Sequence, residues 1–377
     1  MTGPLTGMRF VEMAGIGPAP FAAMVLADLG AEGIRIESPR PGLMFGDPMR
    51  DVTRRGRARV VVDVRQEAGR DLVLDLVGES HVLIEGFRPG VMERLGLAPE
   101  TCLTRRPSLV YGRMTGWGQD GPWARTAGHD LDYIAVAGVL AHIGRRDQPP
   151  TPPLNLVGDY GGGAMLLLVG ILAALWHAQR TGEGQVVDAA MVDGAALLMS
   201  LFHSMSATGM WREEAGINLL DSGTPFYDVY RTADGRWLAI ACLEPQFYSE
   251  WLSLAGLDGE DLPAQFDLEG WPVLRARFAE VVATRTRDEW ATLADGTDAC
   301  IAPVLTMAEA PAHPHLAARG TFAEVDGVVQ AAPAPRFSRT PAGTPGAVMA
   351  SDRRALLSWG IDESRITSLA GDGVLVD

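Results

Sequence analysis

Apolar and polar positions along the chain follow two periods, one of two residues and one of three to four. A short apolar run at 8–13 is followed by a Gly/Pro turn, a helical pattern over 20–29 and a second apolar run at 33–37, the order of a βαβ unit. Further strands are predicted at 58–64 (ARVVVDV), 81–87 (HVLIEGF) and 108–114 (SLVYGRM), with a helix over 66–77 between the first two. Such alternation predicts an α/β fold, a doubly wound, mainly parallel, Rossmann-like sheet. The stretch 161–179 opens on three glycines and is apolar on almost every face, which predicts a buried helix. A strand at VVDAAMV and a helix to about residue 208 follow. From 226 the pattern changes to FYDVYRTADGRWLAIA, two alternating runs around Asp234-Gly235 that predict an antiparallel hairpin. Helices over 246–255, 271–283 and 287–293 complete a smaller α+β domain. The proline-rich 310–345 reads as an extended return path, leaving the last thirty residues to pack on an earlier element. The expected division is a large domain of 1–190 and 330–377, linkers at 191–224 and 321–329, and a small domain of 225–320.

Length and charge narrow the function. A chain of 377 residues holds two domains with ample core. Its 32 basic and 47 acidic side chains leave a net charge of -15, so no nucleic-acid partner and no anionic membrane surface is expected. Every basic side chain is Arg; the sequence contains no Lys. That excludes pyridoxal Schiff-base chemistry, class I aldolase chemistry and a Walker A phosphate loop. Cys102, Cys242 and Cys300 are far apart, with no CxxC and no zinc-ligand spacing, so buried free thiols and no metal site are expected. The start MTGPLTGMRF carries no basic segment followed by an apolar core, and the apolar run 164–176 is short for a bilayer, so a soluble, cytoplasmic protein is expected.

Several motifs carry chemistry. The turn Gly15-Ile16-Gly17-Pro18-Ala19-Pro20, with Glu37 twenty residues later, has the outline of a dinucleotide fingerprint. It lacks the third glycine, and its prolines have no N–H to offer a pyrophosphate. Arg50, Arg54, Arg55, Arg57 and Arg59 cluster in an acidic chain, followed by Arg88 and Arg94 in FRPGVMERLG; any one of them can pair with a surface carboxylate, but guanidinium forks suit phosphate oxygens and the cluster as a whole is expected to meet a phosphorylated ligand. His129 in GHD is by itself a common structural hydrogen-bonder. Asp159 in NLVGDYGGG precedes three glycines, where helix N–H groups favour its ionised form and missing side chains leave the backbone open to a substrate. Glu244 in CLEPQFY is by itself an ordinary surface acid. Met165, Met191, Met199, Met205 and Met210 crowd one region and suit a core or a pliable acyl-chain surface.

Taken together, the opening GPLTGMRFVE, LADLGAEGIRIE, IEGFRPGVMERLGL, TGWGQDGP, AGHDLDYIAVAG, PPLNLVGDYGGGAM, TGEGQVVDAAMVDG and PAPRFSRTP resemble the α-methylacyl-CoA racemases of the family III CoA-transferase (CaiB/BaiF-like) superfamily, in order and over almost the whole chain. The resemblance implies an interlocked homodimer whose large CoA-binding domain holds both chain ends and whose small domain reaches the partner's active site. It implies acid/base roles for His129 and Asp159, with Glu244 of the neighbouring subunit orienting the histidine. An acyl-CoA thioester is the implied substrate and no separate cofactor is needed. Candidate substrate contacts are Arg40, Arg54, Arg55, Arg88, Arg94, Gly112, Met114, Asp130, Tyr133 and Gly161. Where the family carries Arg before the proline of the strand-end motif, this chain has Ser38, so Arg40 is the candidate replacement at the adenine. Inverting a carbon beside a thioester carbonyl needs a base on one face and a protonated acid on the other, with the enolate oxygen expected at N–H groups of the glycine-rich helix start. Two other readings are a CoA-transferase with Asp159 as nucleophile and a CoA-ester-binding protein without activity.

Overall fold

The computed structural model describes residues 2–40, 42 and 46–376. The chain divides into two compact units, one of Met1–Ala137, Leu154–Leu198 and Pro314–Asp377, the other of Gly138–Pro153 and Met199–His313.

In the first unit the chain runs through β1 (Arg9–Met13), α1 (Pro18–Asp28), β2 (Glu32–Glu37), β3 (Arg57–Val62), α2 (Glu67–Gly78), β4 (Val82–Glu85), α3 (Val91–Arg94), α4 (Pro99–Arg105), β5 (Val110–Thr115) and α5 (Asp130–Val136). It resumes with a π-helix (Leu156–Met165) that continues into α6 (Leu166–Thr181), then β6 (Gln185–Ala190) and α7 (Met191–Leu198). The second unit contributes α8 (Ser200–Ala207), the hairpin β7 (Tyr227–Arg231) and β8 (Trp237–Ala241), α9 (Pro245–Leu254), α10 (Trp271–Val282), α11 (Arg287–Ala294) and β9 (Ile301–Pro303). The first unit closes with α12 (Pro314–Ala318), β10 (Phe322–Val325), β11 (Val328–Ala331), α13 (Glu363–Gly371) and β12 (Leu375–Val376).

The main sheet has the order β12-β3-β2-β1-β4-β5-β6. β1 to β6 pair in parallel and only β12 runs antiparallel, against β3. Strand side chains alternate faces, so Val11 and Met13 of β1 join one core layer with Ile34, Leu72 and Leu369, while Phe10 joins the other with Ala22, Ile84 and Leu167. The strand order reverses between β1 and β4, and in open α/β sheets that is where a crevice opens at the strands' carboxyl ends. The helix over 156–181 is long and apolar enough to cross a bilayer by length and composition, a longer apolar element than the short run in the sequence suggests. Here its inner face packs on the sheet through Leu167, Leu168 and Ile171.

The return path is not wholly extended. β10 and β11 form a hairpin about Asp326 and Gly327, both at positive φ (52° and 74°). Asp-Gly is the residue pair such a tight turn asks for, and proline content masked it. The last residues place α13 and β12 on the sheet's edge. The second unit has its own core of Phe226, Tyr230, Trp251, Phe278 and Trp290. There the buried Asp228 pairs with Arg145 and Arg275. Cys102 and Cys242 are buried but Cys300, on the turn immediately before β9, is exposed, a departure from the expectation.

The arginine cluster is largely internal. Arg35, Arg54 and Arg59 all pair with Glu37, Arg35 and Arg57 with Glu12, and Arg55 with Asp28. The acid that a dinucleotide fingerprint would offer to a ribose is therefore occupied by guanidinium groups. Burial opposes ionisation of Glu37, but hydrogen bonds from Arg59 and Arg54 outweigh it and hold the carboxyl at about 2. A carboxyl whose folded value lies below its unfolded value stabilises the fold above the unfolded value and loses that contribution as pH falls through the folded one. Glu37→Gln is therefore expected to cost about 3 to 5 kcal/mol at neutral pH, the penalty for stranding buried charge. In urea melts the difference from wild type should shrink between about pH 4.5 and pH 2; a difference independent of pH would contradict the assignment.

Candidate active site

The turn from β1 into α1 sets one wall of the crevice. Gly17 precedes α1 at φ 73°, a conformation that favours glycine, and Pro18 starts the helix at a position that needs no N–H. Its second role is space. A Cβ at residue 17 would stand 3.3 Å from Oδ2 of Asp159, so the Gly15–Gly17 turn approaches a carboxylate of the protein itself. Asp159 lies inside the first turn of the π-helix rather than ahead of the helix start. Helices of this class are concentrated at functional sites. Asn155 Nδ2 donates to Asp159 Oδ2 at 3.0 Å, and Phe21 of α1 stacks on Tyr160 with ring centroids 4.5 Å apart.

The GHD segment forms the opposite side. His129 is the exposed residue capping α5, and its backbone N–H donates to Asp132 Oδ2 at 2.9 Å. Asp130 turns inward, is buried, and accepts the backbone N–H of Asp159 on Oδ1 at 2.6 Å. Its Oδ2 is buried without a partner. Gly158 makes the approach possible, since a Cβ there would lie 2.6 Å from that Oδ1. Tyr133 wedges between two glycines, its ring filling the space a side chain at Gly116 or Gly128 would need, and its hydroxyl donates to the Gly128 carbonyl. Trp117 meets the same ring edge-on at 4.9 Å. One end of β5 and the GHD turn are thereby held together.

Burial and neighbouring charges shift Asp159 and Tyr133. Burial raises Asp159 above the ordinary aspartate range; the Asn155 hydrogen bond and the nearby His129 oppose it, and the Asp130 charge adds to it. The helix start was expected to favour the ionised form, and burial reverses the sign of that effect. Burial and then the charges of Asp159 and Asp132 push the Tyr133 phenol up to about 12, with Arg88 opposing. Tyr133 therefore stays neutral, and Arg88 is close enough to act on it.

The remaining candidates distribute unevenly. Arg88 and Arg94 are exposed, on the turn after β4 and on α3, and Arg40 is exposed after β2. Arg54 and Arg55 are buried in the ion pairs described above, Arg55 held by both oxygens of Asp28 and by Gln330 at 2.6 Å. Gly112 and Met114 are buried on β5; a Cβ at Gly112 would meet Leu167 and Ile171 at 3.1 and 3.3 Å, so that glycine seats α6 on the sheet. The triple glycine is mostly packing as well. A Cβ at Gly162 would lie 2.6 Å from the Ala195 backbone, one at Gly163 would meet Met191 at 2.9 Å and Pro18 at 3.3 Å, and only Gly161 leaves comparative room. The expected open backbone is thus filled by α7 and α1, and the Asp159 N–H is committed to Asp130. Glu244 belongs to the second unit, exposed and capping α9 without a side-chain cap bond. Gln265 Nε2 donates to the Cys242 and Leu243 carbonyls at 3.2 and 2.9 Å and so fixes the segment leading into it. Asn155, Gly158 and Gln265 are positioning residues that the sequence reading missed. The NLVGD run was the visible signal of Asn155 and Gly158; no motif marks Gln265.

A doubly wound sheet with a raised Asp beside the turn that follows β1, tied to the GHD segment after β5, is an α/β enzyme scaffold. The chain belongs to CoA-transferase family III, whose model matches residues 5–352. It is 44% identical over 341 residues to an α-methylacyl-CoA racemase of Homo sapiens and 43% identical over 339 residues to that of Mus musculus, in each case 90% of this chain and 87% of the relative. The crystal structure of a CaiB/BaiF family protein from Brucella suis matches with a TM-score of 0.82 and 26% identity, over 96% of this chain and all of that one.

The glycine packing is directly testable. Gly194→Ala would put a methyl 1.8 Å from the Gly162 carbonyl, so a loss of about 3 kcal/mol or more in denaturant unfolding is expected. Gly161→Ala meets its nearest atoms at 3.2 and 3.4 Å and should cost far less. Equal costs would show that the helix crossing is not what the glycines serve.

Proposed function

We propose that the protein is an α-methylacyl-CoA racemase that interconverts (2R)- and (2S)-2-methylacyl-CoA by proton transfer through an enolate, with His129 and Asp159 as the two acid/base groups. The observation that carries this reading is Asp159 itself: a half-buried carboxyl of raised proton affinity, fixed through its backbone by Asp130 and within electrostatic reach of His129. It stands in a chain 43% and 44% identical to two racemases. One group removes the α-proton while the other, on the opposite face, returns a proton, and their protonation states exchange with direction. A raised Asp159 holds a proton more readily than an ordinary aspartate does, as a group that must both take and return one requires.

The CoA portion lies across the large unit, which binds it through the exposed Arg88 and Arg94. Arg35, Arg54, Arg55, Arg57 and Arg59 outnumber the Glu12, Glu37 and Asp28 that pair with them, and this surplus favours an anionic ligand. Arg40 takes the adenine side. The enzyme works without metal or added cofactor, in the cytoplasm, as an interlocked homodimer in which Glu244 of the neighbouring subunit orients His129. In support of a dimer, Met165 at the end of the π-helix and Val169, Leu172 and Trp176 of α6 leave an exposed apolar stripe at helical spacing, a feature that marks interaction surfaces.

The experiment is to incubate one enantiomer of a 2-methylacyl-CoA in D₂O without an acceptor acid, following α-deuterium by NMR and optical purity by chiral analysis. Deuterium should enter as optical purity is lost. Asp159→Asn and His129→Ala should each lower racemisation by about 10²- to 10⁴-fold, the usual contribution of one positioned acid/base group, while free CoA still binds. If there is no exchange, and a new CoA ester forms once a free carboxylic acid is added, the reaction is CoA transfer with Asp159 as nucleophile.

A further inference from the structure

β4 ends on a charged residue that the mechanism does not use. Glu85 is fully buried, its Oε2 accepting the Phe87 N–H at 2.7 Å and its Oε1 accepting Arg113 Nε at 3.0 Å. In the sheet register Glu85 stands opposite Arg113 of β5, and Arg113 opposite Asp188 of β6. Arg113 is itself buried and reaches across to Glu93 Oε1 of α3 at 2.9 Å. One carboxylate thus closes the turn that carries Arg88 and, through Arg113, ties down the short helix that carries Arg94. An apolar pair would fill the same space without the desolvation cost of two buried charges, so the arrangement is explained by what it holds in place.

Resting on the reading that Arg88 and Arg94 meet the CoA end of the substrate, we propose that Glu85, Arg113 and Glu93 form a positioning unit that presents those two arginines, and that the charge on Glu85 sets affinity for the CoA ester. The groups facing Glu85 are Arg113 and Tyr111 on β5 and Glu93 on α3, with Asp188 of β6 beyond Arg113. Burial pushes Glu85 up to about 7, the Phe87 N–H and Arg113 opposing and Glu93 adding. Glu93, although partly desolvated, is held low by backbone N–H groups and Arg113 and stays ionised. As pH falls through neutrality Glu85 takes up a proton, its two bonds weaken, and the turn and helix loosen. Substrate affinity falls, while proton transfer at His129 and Asp159 is not touched directly.

The test measures KM and kcat for a 2-methylacyl-CoA, and Kd for free CoA by calorimetry, at pH 8 and pH 6. The proteins are wild type, Glu85→Gln, Glu93→Gln, Arg88→Ala/Arg94→Ala and the triple variant that adds Glu85→Gln. Between pH 8 and pH 6 the wild-type KM and Kd should rise by about tenfold more than those of Glu85→Gln, a comparison in which titration of the CoA phosphate cancels. Glu85→Gln should start from a raised KM at pH 8 with kcat within about threefold of wild type. In the background lacking both arginines Glu85→Gln should change KM by less than about twofold. Glu93→Gln, which alters a half-exposed side chain, should raise KM and keep the pH response.

An unchanged KM in Glu85→Gln, a loss confined to kcat, or an equally large effect without the arginines would overturn the proposal. Should Glu85→Gln not fold, a wild-type Kd for CoA that is flat between the two pH values, together with an unaffected Glu93→Gln, would overturn it as well. Absence of α-proton exchange in wild type would remove the racemase reading alone, because the calorimetric arm reads positioning without turnover.

Discussion

The site depends on one short bond, the Asp159 backbone N–H held by the buried Asp130 carboxylate at 2.6 Å. That bond joins the first turn of the π-helix to the GHD segment, so the two acid/base candidates are set by a single contact. It also leaves a carboxylate next to a carboxyl. Burial raises the proton affinity of Asp159, the Asn155 hydrogen bond opposes it, and the like charge of Asp130 adds to it. Asp130 therefore fixes the geometry and adds to a proton affinity that burial raises first. Gly158 and Gly17 are the cost of bringing them so close, since side chains at either position would crowd a carboxylate oxygen.

The rest of the large unit serves to place that contact at the end of the sheet. Its two apolar layers fix β1, β4 and β5 side by side, and the reversal of strand order opens the crevice beside them. Charge then does what apolar packing cannot. Glu12, Glu37 and Asp28 bind guanidinium groups from β2 and the segment leading through β3, while Glu85 and Arg113 do the same on the other side of β1. Arginine, with its fork of donors, can satisfy several acceptors at once. A chain with no lysine has built its buried charge pairs from that one side chain.

Much of this was legible in the sequence. The alternation of strands and helices, the hairpin at Asp234-Gly235 and the family motifs all survive into the structure, because they rest on local periodicity and turn chemistry. What was not legible depends on contacts between distant segments. Nothing in NLVGDYGGG tells whether its glycines face a substrate or a helix, and here Gly162 meets Gly194 while Gly163 meets Met191 and Pro18. The arginine cluster reads as a site for a phosphorylated ligand until Glu12, Glu37 and Asp28 are seen to pair with most of it. Likewise a helix start predicts an ionised Asp159, and only its burial beside Asp130 turns that sign around. The hairpin at Asp326-Gly327 was written in the sequence and lost among prolines.

The most direct test of the account is a ¹³C carboxyl NMR titration of Asp159 in the folded enzyme, assigned with Asp159→Asn and repeated in Asp130→Asn. The substitution keeps an oxygen for the Asp159 N–H and removes the neighbouring charge. Asp159 should titrate above the ordinary aspartate value of 3.8 in wild type and move downward in Asp130→Asn. A wild-type value at or below 3.8, or one that Asp130→Asn leaves unmoved, would contradict the claim that burial and this carboxylate pair tune the acid/base group.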